Sequence, residues 1–391
     1  MKILHLIHSV NPAVGGPIEG VKQLAVGMEC LGGEVDIVCL DDPAAPWLKD
    51  FPFSVIPLGP SYLSYGYSPK LIPWLREHCR DYSFIVVNGI WQYNSFAAWR
   101  VLRQEGVPYY VFTHGMLDPW FKRHYPLKHL KKWLYWPWAE YRVLRDAAAV
   151  LFTCIEEKLQ ARKSFWLYRC REEVVSYGTR GWQGDAETQK AAFFARFPEL
   201  RGKRLLLFLG RMHEKKGGDL LIQAFHRRLT AHPDPSLALV MAGPADNPFG
   251  RKIKRLSSSL GIEDQVTWTG MLQGDEKWGA FLASEAFMLP SHQENFGISV
   301  AEALSAHLPV LISNKVNIWR EIEGERAGLI ENDDLAGTEA LLDRWLALTP
   351  GEREEMRVAA RRCFLGYFEI MKAAVSLVRV YESQPHRPRH S

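Results

Sequence analysis

Two successive series of short apolar segments, separated by longer amphipathic stretches, most strongly constrain the fold of this chain. This alternation is typical of parallel β-sheets that are covered by helices. In the first series we predict strands over Ile3–Ile7, Val35–Leu40, Ser54–Pro57, Phe84–Val87, Tyr109–Phe112 and Ala148–Thr153. In the second series we predict strands over Arg204–Leu209, Ala238–Ala242, Gln265–Thr269, Ala286–Leu289 and Val310–Ser313. The pattern therefore predicts an α/β protein with two doubly wound, Rossmann-like domains.

The chain length and one polar stretch indicate where the two domains meet. With 391 residues the chain is too long for one ordinary hydrophobic core. Because the Gly-rich, polar stretch 178–189 separates the two series, we place the N-terminal domain at 1–185 and the C-terminal domain at 186–365. A helix at about 366–383 is predicted to pack back on the N-terminal domain. Ligands of parallel sheets bind beyond the carboxyl ends of the strands, so two such domains facing each other would form a ligand-binding cleft.

The composition excludes several classes of protein. A net charge of +4 is too small for a nucleic-acid-binding protein, so no nucleic acid partner is expected. The six cysteines show neither a C-x-x-C pair nor a metal-ligand spacing, which is typical of a reduced, cytoplasmic protein. No run approaches 18 apolar residues and no signal peptide opens the chain, so we expect no membrane span.

Two carboxylates flank a glycine in the segment that follows the predicted strand Ala286–Leu289. Glu294 precedes Phe296-Gly297-Ile298, and Glu302 comes eight residues after Glu294, inside a predicted helix. Carboxylates accept hydrogen bonds from sugar and ribose hydroxyls, and a glycine lets backbone N–H groups approach an anion at a helix N-terminus. The alternative is a solvated glutamate and a carboxylate that stabilises the helix N-terminus.

A second loop carries the complementary charge. The predicted strand Arg204–Leu209 leads into Gly210-Arg211, and Lys215-Lys216-Gly217-Gly218 follows before the next helical pattern. Cations and glycines in a strand-to-helix loop are suited to binding a diphosphate. Neither a Walker A loop nor a G-x-G-x-x-G fingerprint is present, and the alternative is a basic surface loop.

Taken in order, these elements resemble the donor site of the family 4 retaining glycosyltransferases, which have the GT-B fold. The resemblance rests on Gly210-Arg211, Lys216-Gly217, Ala242-Gly243-Pro244, Thr269-Gly270, Glu294, Glu302 and Ala306–Val310. In the first half, Gly15-Gly16-Pro17 is similar to the family's phosphate-binding turn. His114–Trp120 resembles a segment of a subset that is linked to exopolysaccharide assembly. Asn88–Gln92 is similar to another segment of that subset, in which histidine replaces Asn88.

The resemblance implies a role for each matching residue. Arg211 and Lys216 neutralise the donor diphosphate, Glu294 binds hydroxyls of the transferred sugar, and Glu302 binds the ribose. His114 lies near the sugar, where it can hydrogen-bond the 6-hydroxyl. The remaining donor-binding positions are Gly15, Gly16, Gly210, Gly243, Phe296, Gly297 and Ile298. Family members retain the anomeric configuration, and the departing diphosphate helps to deprotonate the acceptor. No D-x-D motif follows a strand, so neither a metal nor another cofactor is expected beyond the nucleotide sugar substrate.

The segment Trp120–Arg145 combines cationic and aromatic side chains. It has seven Lys or Arg against one acidic residue, Glu140, together with four tryptophans and three tyrosines. Such a mixture suits an anionic lipid surface or a lipid-linked saccharide acceptor. The alternative is that the tryptophans pack in the core while the lysines face solvent. We therefore expect a cytoplasmic enzyme, peripheral on the inner face of the membrane, that acts in polysaccharide or glycolipid synthesis.

Two other functions fit the same fold. A nucleotide-sugar 2-epimerase changes its substrate without an acceptor, and a non-catalytic sugar-binding protein with two Rossmann-like domains performs no chemistry. Glu294 and Glu302, with Arg211 and Lys216, favour glycosyl transfer over both.

Overall fold

A computed structural model describes residues 1–12, 16–120, 122 and 126–383 of the chain. It divides the chain into two compact units, each built around its own parallel sheet. Unit 1 contains residues 1–178 together with the chain from Ile370 onward, and unit 2 contains Thr179–Glu369. The prediction of an α/β protein with two Rossmann-like domains is confirmed.

Unit 1 is a seven-stranded sheet with the strand order β3-β2-β1-β4-β5-β6-β7, and every pairing is parallel. Its strands are β1 Lys2–Ile7, β2 Glu34–Cys39, β3 Ser54–Pro57, β4 Phe84–Asn88, β5 Tyr110–Phe112, β6 Ala149–Phe152 and β7 Glu172–Val174. The described residues include the helices α1 Gly16–Cys30, α2 Leu71–His78, α3 Tyr93–Glu105, α4 Pro126–Tyr135, α5 Glu140–Asp146 and α6 Ile155–Ala161. β1 lies between β2 and β4, so the chain reverses its direction of winding there. Such a switch point opens a crevice at the carboxyl ends of the strands.

Unit 2 repeats this plan with six parallel strands in the order β10-β9-β8-β11-β12-β13. The strands are β8 Arg204–Leu209, β9 Leu237–Ala242, β10 Val266–Gly270, β11 Ser284–Leu289, β12 Val310–Ser313 and β13 Gly328–Glu331. The helices are α7 Ala186–Arg196, α8 Gly218–Ala231, α9 Pro248–Ser259, α10 Gly274–Ala283, α11 Ile298–Ser305, α12 Trp319–Gly324, α13 Leu335–Ala347 and α14 Pro350–Cys363. Here the switch point lies between β8 and β11.

The central strands are buried on both faces, which explains why they read as continuous apolar runs. Leu205–Phe208 in β8 and Leu237–Ala242 in β9 are buried throughout, as are the residues of β4. Strands that are covered by helices on both faces need no polar alternation. These runs place the strand ends, and the loops that follow them, at fixed positions in each unit.

Two boundaries differ from those expected from the sequence. Unit 2 begins at Thr179 rather than at 186, because the backbone N–H of Trp182 donates to Ser305 Oγ at 2.7 Å and Gly181 lies against Phe364. The C-terminal helix, α15, covers Ile370–Glu382 and packs on α1, where Gly27 allows close contact with Ala374. It starts later than 366 because a π-helical turn occupies Phe364–Phe368.

Candidate active site

The switch point of unit 2 brings the two charged loops of the sequence together. Lys216 follows β8 and Glu294 follows β11, and these two strands are neighbours in the sheet. Lys216 Nζ forms an ion pair with Glu294 Oε2. Because parallel strands end at the same edge of a sheet, residues 78 positions apart in the chain become partners.

Backbone contacts lock the two loops to each other. The carbonyl of Lys215 accepts hydrogen bonds from the His292 N–H at 2.7 Å and from Ser291 Oγ at 2.6 Å. Gly217 has φ +66°, and a Cβ there would lie 2.1 Å from the carbonyl oxygen of Pro290. Only glycine permits this approach, so the Lys216-Gly217 pair is needed to hold Lys216 beside Glu294.

The electrostatics of this loop favour an anion. Burial, together with the positive charges of Arg211 and Lys215, lowers the pKa of Lys216 to about 7. Arg211 itself is exposed in the loop after β8. A diphosphate placed here would neutralise the excess positive charge and favour the protonated amine.

The chain turns sharply between Glu294 and the helix that follows. Gly297 has φ +78° and precedes α11, and a Cβ on it would lie 3.2 Å from Glu294 Cγ. No side chain caps the first turn of α11, where the Val300 N–H donates to the Gly297 carbonyl at 2.8 Å. The N–H groups of Ile298 and Ser299 are therefore the ones suited to an anionic ligand. Phe296 is buried next to this turn, while Ile298 begins the helix and is partly exposed.

Glu302 lies further along α11 and has a different partner. Its Oε1 accepts a hydrogen bond from Lys277 Nζ at 2.6 Å, and the carboxylate is almost fully buried. The two carboxylates thus face separate cations, Glu294 with Lys216 and Glu302 with Lys277. Lys277 was not anticipated, because it lies on α10 and nothing in its local sequence indicates a ligand.

Two glycines at the neighbouring strand ends are packed backbone to backbone. Gly210 donates its N–H to the Ala242 carbonyl at 2.9 Å, and Gly243 donates to the Gly270 carbonyl at 2.8 Å. A Cβ on Gly243 would lie 1.9 Å from the Gly210 oxygen. These close backbone contacts join the carboxyl ends of β8, β9 and β10 next to the charged loops.

The switch point of unit 1 carries neutral polar groups instead. Asn88, at the end of β4, accepts a hydrogen bond from His114 Nε2 at 3.1 Å through Oδ1. Its amide nitrogen lies 3.2 Å from His5 Nδ1 and 3.4 Å from the carbonyls of Leu6 and Val86. Two carbonyl acceptors on one side fix the orientation of the amide. His114 therefore carries its proton on Nε2 and presents Nδ1 as an acceptor.

Burial keeps both histidines uncharged at neutral pH. It lowers the pKa of His5 to about 4. Burial and the neighbouring His5 together lower the pKa of His114 to about 3. His114 also adopts φ +48°, an unusual backbone conformation for a residue other than glycine. A neutral imidazole held in this way can accept a hydrogen bond from a ligand hydroxyl.

Two residues that the sequence did not single out position His114. Glu157 accepts hydrogen bonds from Thr113 Oγ1 at 2.8 Å and the Gly115 N–H at 2.6 Å, on either side of His114. The Tyr177 ring lies 6.0 Å from that of His114 and occupies space that a side chain on Gly20 of α1 would need. No local pattern marks either residue, since both act across the fold.

Gly16 begins α1 and is exposed, whereas Gly15 lies outside the described residues. Within the described part of the chain, no group of three or more His, Cys, Asp or Glu residues is arranged to hold a metal ion. Nor does any described helix have the length and apolarity needed to cross a membrane.

In the basic and aromatic segment Trp120–Arg145, some side chains are buried in the core and others are exposed. Trp136 is fully buried, whereas the side chains of Leu127, Leu130, Leu134 and Trp138 are 60% to 84% exposed. Their spacing places the three leucines on one face of α4. Lys131 is exposed beside them, while Lys132 Nζ lies 4.7 Å from the ring centroid of Trp91. Arg123 and the side chain of Lys128 lie outside the described residues.

Two parallel sheets with polar loops at their switch points define a class of two-domain α/β proteins that bind nucleotides at strand ends. The family model "Glycosyl transferase 4-like domain" matches residues 15–178, and the model "Glycosyl transferases group 1" matches residues 189–362. Together they span most of the chain, which belongs to the family 4 glycosyltransferases with the GT-B fold.

Known proteins share this similarity over part or all of the chain. A D-inositol 3-phosphate glycosyltransferase of Corynebacterium jeikeium is 27% identical over 46% of this chain and 44% of that protein. The chain thus matches less than half the length of that relative. An alpha-D-kanosaminyltransferase of Streptomyces kanamyceticus is 26% identical over 62% of each chain. The structure of Anabaena Alr3699/HepE in complex with UDP is 15% identical, with a TM-score of 0.78 over 98% of this chain and 100% of that chain. At this identity the likeness shows the fold alone.

Proposed function

We propose that this protein transfers a sugar from a nucleoside diphosphate sugar to a saccharide or lipid-linked saccharide, with retention of anomeric configuration. The observation that carries the proposal is the Lys216–Glu294 pair at the switch point of unit 2, with Arg211 beside it. The cations suit a diphosphate and the carboxylate suits sugar hydroxyls. Glu302, on the helix that follows, is suited to the ribose.

The proposed chemistry is mainly electrostatic. As the bond between the anomeric carbon and the diphosphate breaks, negative charge grows on the departing oxygen. Arg211 and Lys216 stabilise that charge, which is where preorganised cations contribute most. The same oxygen accepts the proton of the acceptor hydroxyl, and the new glycosidic bond forms on the face that the diphosphate leaves. His114 Nδ1 accepts a hydrogen bond from the sugar and transfers no proton.

The first experiment identifies the donor. Because a ligand that binds only the folded protein raises its melting temperature, a thermal-shift screen of UDP, GDP and ADP sugars should give one clear stabilisation. The screen starts with UDP-glucose, because the structurally similar HepE has been solved in complex with it. The stabilising sugar nucleotide is then incubated with oligosaccharide and lipid-linked acceptors, and NMR of the product reports the anomeric configuration.

Three results would contradict the proposal. Inversion of the anomeric configuration would exclude the retaining mechanism. Conversion of the donor to its 2-epimer without any acceptor would identify an epimerase instead. Loss of activity in EDTA that manganese restores would reveal a metal requirement, whereas we expect EDTA to have no effect because Arg211 and Lys216 supply the positive charge.

We further propose that unit 1 rests on the inner face of an anionic membrane through the α4 surface. We define this surface as Leu127, Leu130, Leu134 and Trp138, with Lys131 beside them. Exposed leucines on one helix face, with a tryptophan and a lysine at the edge, match an interfacial amphipathic helix. A membrane location would bring the enzyme to lipid-linked acceptors.

Vesicle co-sedimentation tests this association. Binding should require anionic lipid, decrease as salt is raised, and fall strongly in Leu130→Gln/Leu134→Gln. The matched control is Leu31→Gln/Val358→Gln, which removes two exposed apolar side chains elsewhere. Equal binding by the two double variants would exclude the α4 surface, and no binding by the native protein at low salt would exclude the membrane.

A further inference from the structure

A cavity that the proposed reaction does not use lies between α3 and α5 on unit 1. Its volume is about 530 Å³, within the range of small-molecule sites. Three aromatic and three arginine side chains line it, namely Phe96, Trp99, Trp138, Arg100, Arg103 and Arg142. Trp138 belongs also to the α4 surface, so the cavity opens next to the proposed membrane contact.

The arginines of this cavity differ in how they are neutralised. Arg103 Nε lies 3.5 Å from Asp146 Oδ2, and the same carboxylate accepts the Trp99 indole N–H at 2.8 Å. Arg100 and Arg142 are exposed, and no carboxylate of the described residues lies within 4 Å of either guanidinium. The cavity therefore has two uncompensated positive charges, which favour an anionic ligand.

The aromatic lining indicates what else the ligand contains. Phe96 and Trp99 pack with ring centroids 5.5 Å apart at one side of the cavity, and Trp138 is 71% exposed at the other. Tryptophan rings with one apolar face and one polar edge are typical of the headgroup level of a membrane. A small soluble anion would use the arginines alone, whereas a lipid phosphate uses both kinds of side chain.

We propose that this cavity binds the headgroup phosphate of one anionic lipid in the membrane on which α4 rests. Arg100 and Arg142 donate hydrogen bonds to the phosphate oxygens, and Trp138 lies against the glycerol and upper acyl region. The inference rests on the proposed membrane association and adds a defined site to it. General attraction between basic residues and an anionic surface would show no stoichiometry, whereas a site binds one lipid per chain.

Calorimetry with a short-chain lipid below its micelle concentration tests the site without a membrane. Dihexanoyl phosphatidylglycerol should bind the full-length protein at one molecule per chain, and dihexanoyl phosphatidylcholine should bind far more weakly. Arg100→Gln/Arg142→Gln should weaken the first interaction by about 25-fold, the product of roughly fivefold for each guanidinium. The control Arg255→Gln/Arg379→Gln removes the same charge from exposed helical positions and should change affinity less than about twofold.

Each other outcome overturns a stated part of the inference. Absence of binding by the native protein, or equal affinity in the two double variants, would exclude the cavity as a lipid site. Inorganic phosphate that binds as tightly as the lipid would identify a soluble phosphate as the ligand and overturn the lipid assignment. Leu130→Gln/Leu134→Gln should keep short-chain lipid binding while losing vesicle binding. One-to-one binding without any vesicle binding would refute the membrane proposal and leave the cavity site standing.

Discussion

Each unit has a switch point in its sheet, between β1 and β4 in unit 1 and between β8 and β11 in unit 2. The side chains at the two switch points differ in charge. In unit 2 the loops carry an ion pair, Lys216 with Glu294, and a nearby exposed arginine, Arg211. In unit 1 the corresponding edge carries uncharged His114 and Asn88. The same backbone arrangement thus supports an electrostatic site in one unit and a neutral hydrogen-bonding site in the other. The function of each unit is determined by side chains placed on a shared scaffold.

This contrast predicts that the largest catalytic loss comes from the charged site. Lys216→Ala should reduce the turnover number by about 100-fold to 1,000-fold, because the partner charge grows in the transition state. Affinity for the donor should fall much less. Steady-state kinetics and calorimetry on the same preparation separate the two effects. Lys215→Ala is the control at the neighbouring position. An equal loss of turnover in Lys215→Ala would show that Lys216 contributes no more than another cation of the same loop.

The second prediction distinguishes the two carboxylates within unit 2. Glu302→Ala should weaken binding of the free nucleoside diphosphate by about 1–3 kcal/mol, since the proposed role of Glu302 is to accept hydrogen bonds from the ribose hydroxyls. Glu294→Ala should leave that affinity nearly unchanged and lower turnover, because the proposed role of Glu294 is to bind the transferred sugar. Calorimetry with the nucleotide alone checks the first statement. Native turnover in the Glu294 variant would show that this residue does not contact the sugar.

The third prediction concerns pH. The pKa of Lys216 is about 7 in the free protein, so the amine loses its proton as pH rises above 7. A bound diphosphate raises this pKa. When the donor sugar binds above pH 7, the Lys216 amine must therefore take up as much as one proton. Affinity for the donor sugar should therefore fall by up to about tenfold per pH unit above 7. Lys216→Arg should abolish this dependence, because the guanidinium stays protonated. A pH-independent native affinity would contradict the prediction.

The smallest effect is expected at the neutral site of unit 1. Asn88→Asp keeps the shape and the acceptor but places a carboxylate 3.1 Å from His114 Nε2, which raises the pKa of His114. Turnover at neutral pH should fall about fivefold, and the acidic limb of the pH–rate profile should move to higher pH as Nδ1 becomes protonated. Asn94→Asp adds the same charge without contacting His114, and should move that limb less. Identical profiles for native protein and Asn88→Asp would exclude this role of Asn88.

The fold was predictable wherever strands are buried on both faces. Runs such as Leu205–Phe208 have no polar residue and can be recognised without knowing their neighbours. The edge strands β7 and β13 were missed, because they are three and four residues long, include glutamates and are only partly buried. The helix expected at about 366–383 begins only at Ile370, because a π-helical turn and a short extended step at 364–369 separate α14 from α15.

The sequence by itself determined the chemistry that is available: cations and glycines after one strand, carboxylates around a glycine after another, and a basic aromatic segment. Only the tertiary structure decided which of these groups meet. Lys216 contacts Glu294 because β8 and β11 are neighbours, while Glu302 pairs with Lys277 and Asn88 with His114. Trp136 enters the core while Trp138 stays exposed. Local sequence fixes a residue's charge and its strand or helix, but partners and burial depend on strand order and packing between distant segments.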